Sequence, residues 1–179
     1  MTLASTAWQR WPPHSLRGTL LDLDLCANAI GSTADSDEER AQALNAIGCA
    51  TSLIHLYLGH NELGGEGVAA LHHTLSSLPS LSHLDLSGNQ FGSSADMYAL
   101  LPALEVIAAA SQLNVLDLAF NEMGDEAAAV VARLLVSQLT HLKQLTLVSS
   151  RLSPSSVLAL RAAAQAVPVQ ASVREPSGS

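Results

Sequence analysis

A leucine pattern that recurs along most of the chain constrains its fold more than any other feature of the sequence. In residues 53–64 the pattern has leucines at spacings of three and two residues, then an asparagine, then Leu-Gly. Related copies start at Leu20, Leu81 and Leu113, and a degraded copy starts at Leu142. One such unit cannot bury its apolar face alone, so we predict that the copies stack and share one continuous core.

Each copy is predicted to contain one short strand with a single buried face. In residues 53–64, Leu56 and Leu58 alternate with His55 and Tyr57, which is the two-residue period of a β-strand. The leucines are therefore expected to face the core, and the residues between them to face away from it.

An asparagine follows the strand in four of the copies, at Asn28, Asn61, Asn89 and Asn121. Its side-chain amide both donates and accepts hydrogen bonds, so stacked asparagines can satisfy backbone groups of neighbouring turns that water does not reach. Ser150 stands at this position in the last copy. This replacement predicts a terminal and partly solvated repeat.

The pattern L-x-x-L-x-L-x-x-N-x-L resembles that of the leucine-rich repeats, and the helix-bearing intervals between copies resemble the ribonuclease-inhibitor type of that family. The resemblance covers residues 20–153 and implies an α/β fold, a right-handed solenoid in the form of a short horseshoe. Parallel strands would line its concave face and helices its convex face, over about five repeats.

We expect one repeat domain at residues 20–167, with an atypical segment at each end. Residues 1–19 are predicted to cap the first repeat, whose edge would otherwise expose unpaired strand groups. Trp8 and Trp11 are interpreted as part of this cap, with a ligand or partner anchor as the alternative. Residues 168–179 are predicted to form a disordered tail.

The intervals between strands are predicted to be helical. Apolar residues at helical spacing, or acids at a helix start, mark residues 35–47, 65–78 and 125–135. In the third interval Pro102 is predicted to begin the helix, because a proline in a helix interior costs about 3 kcal/mol. Ser153 and Pro154 predict the start of a last helix.

The charge balance argues against nucleic acid as a partner. The formal net charge is −8, and residues 41–132 contain nine acidic residues and no lysine or arginine.

No stretch approaches the length of a membrane span. Cys26 and Cys49 do not make a disulfide framework, so an intracellular, cytoplasmic location is expected. Arg10 and Arg17, with no acidic residue before Asp22, leave organellar import open.

Two apparent chemical motifs are better explained by the repeat. Residues 65–70 match the G-x-G-x-x-A pattern of dinucleotide-binding folds, but other copies also have a glycine in this turn. His72 and His73 are adjacent and would point about 100° apart on a helix, so they would not converge on one metal ion. We therefore expect no catalytic residue, no cofactor, no metal and no enzymatic activity.

The strand residues that face away from the core form the predicted binding surface on the concave face. The repeat register groups them in two rows, the first containing Asp22, His55, His83, Val115 and Gln144, and the second Asp24, Tyr57, Asp85, Asp117 and Thr146. The residues expected to contact a partner are Asp22, Asp24, His55, Tyr57, His60, His83, Asp85, Asp117 and Phe120. Like charges repel within the row of Asp24, Asp85 and Asp117, and no helix dipole accounts for these three aspartates.

The family resemblance implies that such concave faces usually bind proteins. We therefore predict a protein–protein interaction module whose partner is a basic helix or peptide of another protein, with no nucleic acid and no membrane. The alternative is a scaffold subunit that is held along its convex helices or its ends in a larger assembly. A regulator of a small GTPase is a more distant alternative, since residues 41–132 offer no basic edge. A metal site at His55, His83 and Asp85 is the remaining alternative for this face.

Overall fold

Six short strands form one parallel sheet in the described part of the chain. The computed structural model describes residues 20–33, 36–90, 97–148, 152–167 and 169–174, so the predicted cap at 1–19 and the turn position Ser150 lie outside the described residues. The strands pair in chain order. They are β1 (Asp22–Asp24), β2 (His55–Tyr57), β3 (His83–Asp85), β4 (Val115–Asp117), β5 (Gln144–Val148) and β6 (Gln170–Arg174).

Helices connect successive strands on the side of the sheet that carries the core. Within the described ranges they are α1 (Ile30–Thr33), α2 (Asp37–Ile47), α3 (Gly64–Ala69), α4 (His72–Ser76), α5 (Met97–Ala109), α6 (Asp125–Ser137) and α7 (Pro154–Ala166). Helical side chains such as Val68, Ile107, Leu134 and Leu160 are buried in one cluster with the strand leucines. The predicted α/β repeat solenoid is therefore confirmed.

The strand register follows the repeat pattern. Leu23, Leu56, Leu84, Leu116 and Leu145 pair side by side across the first five strands. Because successive strand residues point to opposite faces, the residues on either side of each leucine project away from the helices. We call this surface the open face of the sheet; it is the predicted concave face. A shift of one residue in any strand would expose its leucine, so the leucines fix the rows on the open face.

Three buried asparagines connect the turns of neighbouring repeats. Asn61, Asn89 and Asn121 are fully buried. The Nδ2 of Asn89 donates to the carbonyls of Leu58 and Leu86 at 2.9 and 3.0 Å. The Oδ1 of Asn89 accepts from the backbone N–H of Asn61 at 3.1 Å. Asn61 and Asn121 make equivalent bonds in the adjacent turns, which confirms the predicted asparagine ladder.

The residues that flank the ladder asparagines have a left-handed backbone conformation although most of them are not glycine. Their φ angles lie between 52° and 59°. The left-handed conformation costs a non-glycine residue about 1–2 kcal/mol, so the bonds of the ladder must hold these turns in place. The residues concerned are Ala27, Ala29, His60, Glu62, Gln90, Phe120 and Glu122, with Gly88 at the equivalent position before Asn89.

Helix α5 starts earlier than predicted. It begins at Met97 and contains Pro102, which was expected to be its first residue. A proline at this position removes only the bond to the carbonyl four residues earlier, close to the helix start. The following residues Leu104 and Ile107 are buried, so packing against the core keeps the rest of the helix regular.

The interval at residues 65–78 forms two short helices, α3 and α4, in place of the single predicted helix. Three of the six residues of α3 are glycine, and glycine weakens a helix by about 1 kcal/mol relative to alanine. The first interval is closer to its prediction, because α2 begins after Ser36, whose hydroxyl accepts the N–H of Glu39 at 3.2 Å. The predicted start at Ser153 and Pro154 is confirmed by α7.

Part of the tail that was expected to be disordered at residues 168–179 forms a strand instead. Residues 170–174 form β6 and pair with β5 along five positions, whereas β1 to β4 are each three residues long. The backbone N–H and C=O groups of β5 would otherwise lie at an open sheet edge, and the added strand satisfies them.

The first prediction concerns the position of a leucine within the stack. Leu84→Ala in β3 should lower the free energy of unfolding by about 2–5 kcal/mol, because Leu84 is fully buried between two other strands. Leu152→Ala in the last repeat should cost clearly less, because Leu152 is 9% exposed. Chemical denaturation of both variants measures the difference. Equal losses would mean that the last repeat is packed as tightly as the middle of the array.

The second prediction concerns the asparagine ladder. Asn89→Ala should lower the free energy of unfolding by at least about 2–4 kcal/mol, because it leaves several buried backbone groups without partners at roughly 1–3 kcal/mol each. Asn28→Ala is the matched control, since Asn28 is exposed and water can replace its bonds to Leu25 and Cys26. A control loss as large as that of Asn89→Ala would contradict the ladder's proposed role.

Candidate functional site

The open face presents two rows of side chains that the strand register holds opposite one another. Asp22, His55, His83, Val115 and Gln144 pair in the first row, and Asp24, Tyr57, Asp85, Asp117 and Thr146 pair in the second. The predicted rows therefore match the observed register. Side chains at paired positions of neighbouring strands are close enough to interact directly.

Three rings on β2 and β3 contact one another at the centre of this face. The ring centroids of Tyr57 and His83 are 5.0 Å apart with an interplanar angle of 51°. His55 lies 5.7 Å from His83, nearly edge-on, and 6.4 Å from Tyr57, nearly parallel. All three side chains are partly exposed. We call His55, Tyr57 and His83 the ring cluster.

A carboxylate fixes one ring of the cluster. The Nδ1 of His55 is hydrogen-bonded to the Oδ1 of Asp22, which pairs with it on β1. The bond engages one ring nitrogen and so orients the imidazole, leaving Nε2 on the far side of the ring. The predicted residues Asp22 and His55 therefore act as a pair.

The aspartates of the second row, Asp24, Asp85 and Asp117, have a local structural role that the sequence pattern did not predict. The Oδ1 of Asp85 accepts the backbone N–H of Ser87 at 2.8 Å, and the Oδ1 of Asp117 accepts that of Ala119 at 2.9 Å. Asp24 makes the same bond to the N–H of Cys26. Each carboxylate thus accepts the backbone N–H of the residue two positions later and caps the end of its strand. These bonds give the three aspartates a structural role that does not depend on a helix dipole.

The three aspartates nevertheless differ in their electrostatic environment. The backbone bond from Cys26 lowers the pKa of the exposed Asp24 below its ordinary value. At Asp117, burial and the nearby charge of Asp85 outweigh the bond from Ala119 and raise the pKa. Ionised Asp117 is therefore disfavoured by its surroundings in the folded protein, whereas ionised Asp24 is favoured.

The ring of His83 is held in its neutral form. Burial, followed by the neighbouring His55, lowers the pKa of His83, although Asp85 and Asp117 oppose this effect. At neutral pH the ring cluster therefore presents an uncharged His83 ring between acidic side chains.

A third row of small residues follows the two predicted rows and was missed. It contains Cys26, Gly59, Ser87 and Ala119, each two positions beyond a residue of the second row. A Cβ on Gly59 would lie 2.9 Å from the hydroxyl of Ser87 and 3.3 Å from Oδ2 of Asp85. The alternation of strand residues could have predicted this row, because the residue two positions after Tyr57 or Asp85 faces the same side of the sheet.

The thiol in this row is protonated at neutral pH. Burial and the hydrogen-bonded Asp24 raise the pKa of Cys26 to about 11. The thiolate is the reactive form of cysteine, so this environment does not activate Cys26 as a nucleophile.

The two remaining predicted site residues occupy the turns after the strands. His60 follows β2, and its ring lies against Gly88 of the next repeat, where a Cβ would come within 2.4 Å of His60 Nδ1. Phe120 stands at the equivalent turn position after β4 and is exposed. Both residues therefore border the open face rather than join its rows.

The glycines of the G-x-G-x-x-A match serve packing. Gly65 and Gly67 are buried in α3, and a Cβ on Gly67 would approach Leu63 Cβ at 3.0 Å. His72 and His73 are exposed on α4, with ring centroids 5.3 Å apart. Over the described residues, no group of three or more His, Cys, Asp or Glu side chains has a geometry suited to a metal ion.

The opposite pKa shifts of two aspartates give the third prediction. Asp117→Asn should stabilise the protein at pH 7, because asparagine still accepts the N–H of Ala119 and the disfavoured charge is removed. Since a raised pKa in the folded state favours the protonated form, this advantage should shrink as the pH falls through the raised folded-state pKa of Asp117, and it should be absent below the ordinary carboxyl value of 3.8.

Asp24→Asn should have the opposite effect at pH 7. The lowered pKa of Asp24 adds stability above 3.8, which is lost as the pH falls through the folded-state value. Urea denaturation midpoints of both variants against pH provide the measurement. Shifts of the same sign at pH 7 would contradict this electrostatic description.

The sequence matches a known repeat family on the elements described above. A model of the family described as Leucine Rich repeat matches residues 49–71, 77–95 and 111–132. These three stretches contain β2, β3 and β4 with their asparagine turns. In the described ranges, no helix is both long and apolar enough to cross a membrane. The matches and the stacked parallel strands together support a leucine-rich repeat protein over the central part of the chain.

Proposed function

We propose that the open face binds a basic helix or peptide of a partner protein. Leucine-rich repeat domains generally mediate protein–protein interaction and are typically not enzymes. The observation that carries the finer proposal is the combination of the ring cluster with the carboxylates of Asp22, Asp24, Asp85 and Asp117 on one sheet face. We include the ribonuclease-inhibitor type in this proposal, because α2, α5, α6 and α7 are 11 to 13 residues long.

The charge of the central repeats supports a cationic partner. No lysine or arginine occurs in residues 41–132, which contain β2, β3 and β4. The carboxylates of Asp85 and Asp117 therefore have no lysine or arginine in these repeats to neutralise them. An acidic patch of this kind attracts and orients a basic partner, and it disfavours nucleic acid.

The dimensions of the sheet suit a short peptide. Six strands at a spacing of about 4.8 Å extend over about 24 Å, which corresponds to roughly seven residues of extended chain or a short helix. The ring cluster lies near the middle of this span, on β2 and β3. Partly exposed rings at the centre with charges around them resemble the usual arrangement of an interface, in which aromatic anchors are surrounded by polar groups.

The local bonds of the aspartates leave capacity for a partner. Asp85 and Asp117 each use Oδ1 for a backbone N–H, and a carboxylate has about four lone-pair positions on its two oxygens. A cation near Asp117 would also offset the unfavourable environment that raises the pKa of this group. The same residues can thus hold the turn and contact a partner.

A scaffold held along the helical side is the second candidate. Its support comes from three exposed apolar side chains, Leu101 on α5, Val136 on α6 and Leu158 on α7. Leu101 and Leu158 are the fifth residues of their helices, whereas Val136 is the twelfth residue of α6, so the three side chains do not lie at the same height. Scattered apolar residues of this kind are common on protein surfaces, so we rank this candidate second.

The fourth prediction separates the charge of the aspartates from their structural bonds. The double variant Asp85→Asn and Asp117→Asn keeps an acceptor for Ser87 and Ala119 and removes two charges. It should bind a synthetic lysine- and arginine-containing peptide of about seven residues with roughly two- to thirty-fold lower affinity, since an exposed ion pair contributes about 0.2–1 kcal/mol. Fluorescence anisotropy at several salt concentrations measures the affinity and its salt dependence.

A matched variant on the helical side is the control. Glu66→Gln and Glu126→Gln remove two exposed charges from α3 and α6 and should leave the affinity almost unchanged. If both double variants bind the peptide equally well and with the same salt dependence, the open face is not the binding site. Loss of partner capture in a variant with Leu101, Val136 and Leu158 replaced by serine would then favour the scaffold.

A further inference from the structure

We propose that the ring cluster, together with Asp85, forms a recognition site for one arginine side chain of the partner. The proposal rests on the proposed function, because it specifies which residue of a basic segment the open face selects. Such a site would discriminate arginine from lysine, whereas the net negative charge of the face attracts both side chains.

The rings provide a surface for a planar cation. The guanidinium group is flat and stacks on aromatic rings, whereas the lysine ammonium is a compact and strongly hydrated charge. Tyr57 and His83 are tilted by 51° at a centroid distance of 5.0 Å, so their faces are not stacked on each other. Both side chains are partly exposed on the open face and therefore accessible to a partner.

Carboxylates stand on both sides of the Tyr57 ring. Tyr57 pairs with Asp24 on β1 and with Asp85 on β3, and neighbouring strands are about 4.8 Å apart. Asp85 uses Oδ1 for the N–H of Ser87. Its Oδ2 lies beside Gly59, which has no side chain to cover it. A guanidinium on the ring is thus within reach of a carboxylate oxygen, and N–H···carboxylate bonds to arginine are among the stronger hydrogen bonds.

The neutral state of the His83 ring is compatible with the same ligand. His55 is oriented by its bond to Asp22, and the pKa of His83 is lowered by burial and by His55. A neutral His83 does not repel a cation at neutral pH. A quaternary ammonium ion also binds to aromatic rings, but it has no N–H to donate to Asp85. The carboxylates therefore favour arginine.

The test compares three peptides of about seven residues that differ at one central position, which is arginine, lysine or citrulline. Citrulline keeps the planar shape of arginine without its charge. The wild-type protein should bind the arginine peptide roughly two- to five-fold more tightly than the lysine peptide, and the citrulline peptide more weakly than the arginine peptide. Fluorescence anisotropy gives the three dissociation constants.

Substitutions in the ring cluster assign any preference to this site. Tyr57→Phe keeps a ring and should retain the preference for arginine, whereas Tyr57→Leu should abolish it. His83→Leu should reduce it, and His72→Leu on the exposed surface of α4 is the matched control that should not. The use of two ring positions keeps the test decisive if one variant does not fold, which circular dichroism would detect.

The outcomes distinguish this inference from the proposed function. Equal binding of the arginine and lysine peptides by the wild-type protein would overturn the arginine site while leaving a basic partner in place. The same holds if Tyr57→Leu and His83→Leu both fold and retain the arginine preference. Failure of both cationic peptides to bind at all would overturn the proposed function itself.

Discussion

The hydrogen bonds of the buried asparagines are the interaction on which the rest of the structure depends. Each amide joins two consecutive turns, because its Nδ2 donates to carbonyls of its own and the preceding repeat while its Oδ1 accepts a backbone N–H of that preceding repeat. Water does not reach these groups, so any other path of the turn would leave buried backbone groups without hydrogen-bond partners. The rows of the open face over β1 to β4 follow from turns that share these bonds.

The aspartates show how a repeat can combine stability with recognition. Asp24, Asp85 and Asp117 each cap the end of a strand, and for this purpose one oxygen of the carboxylate is sufficient. The remaining charge is exposed on the face of the sheet, where it is favoured at Asp24 and disfavoured at Asp117. The need to cap the strand end therefore explains why a hydrogen-bond acceptor recurs at this position. It does not explain why the acceptor at the partly buried Asp117 is an ionisable carboxylate, when an amide would also accept the bond.

Much of the fold was predictable because its signals are periodic. The leucines gave the strand register, and the asparagines gave the ladder, since both patterns depend only on residue spacing. The capping bonds of the aspartates were not predicted, because a carboxylate on a strand has the same sequence signature whether it binds a backbone N–H or a partner. The last strand was missed for another reason: Val167, Val169 and Ala171 alternate as in a strand, but they are not leucines of the repeat pattern. The contacts of the ring cluster depend on side-chain orientation, which spacing alone does not determine.

The left-handed turns beside the asparagines have a consequence for how such a chain can change during evolution. Their backbone shape is imposed by the ladder and is the same for Ala27, Gln90 and Phe120, which differ in size and polarity. A mutation of one of these turn residues changes the side chains that border the open face without changing the path of the backbone, provided that the asparagine is kept. We call this border the rim. Variation at the rim is thus decoupled from the architecture, so new specificities can be sampled on an unaltered framework.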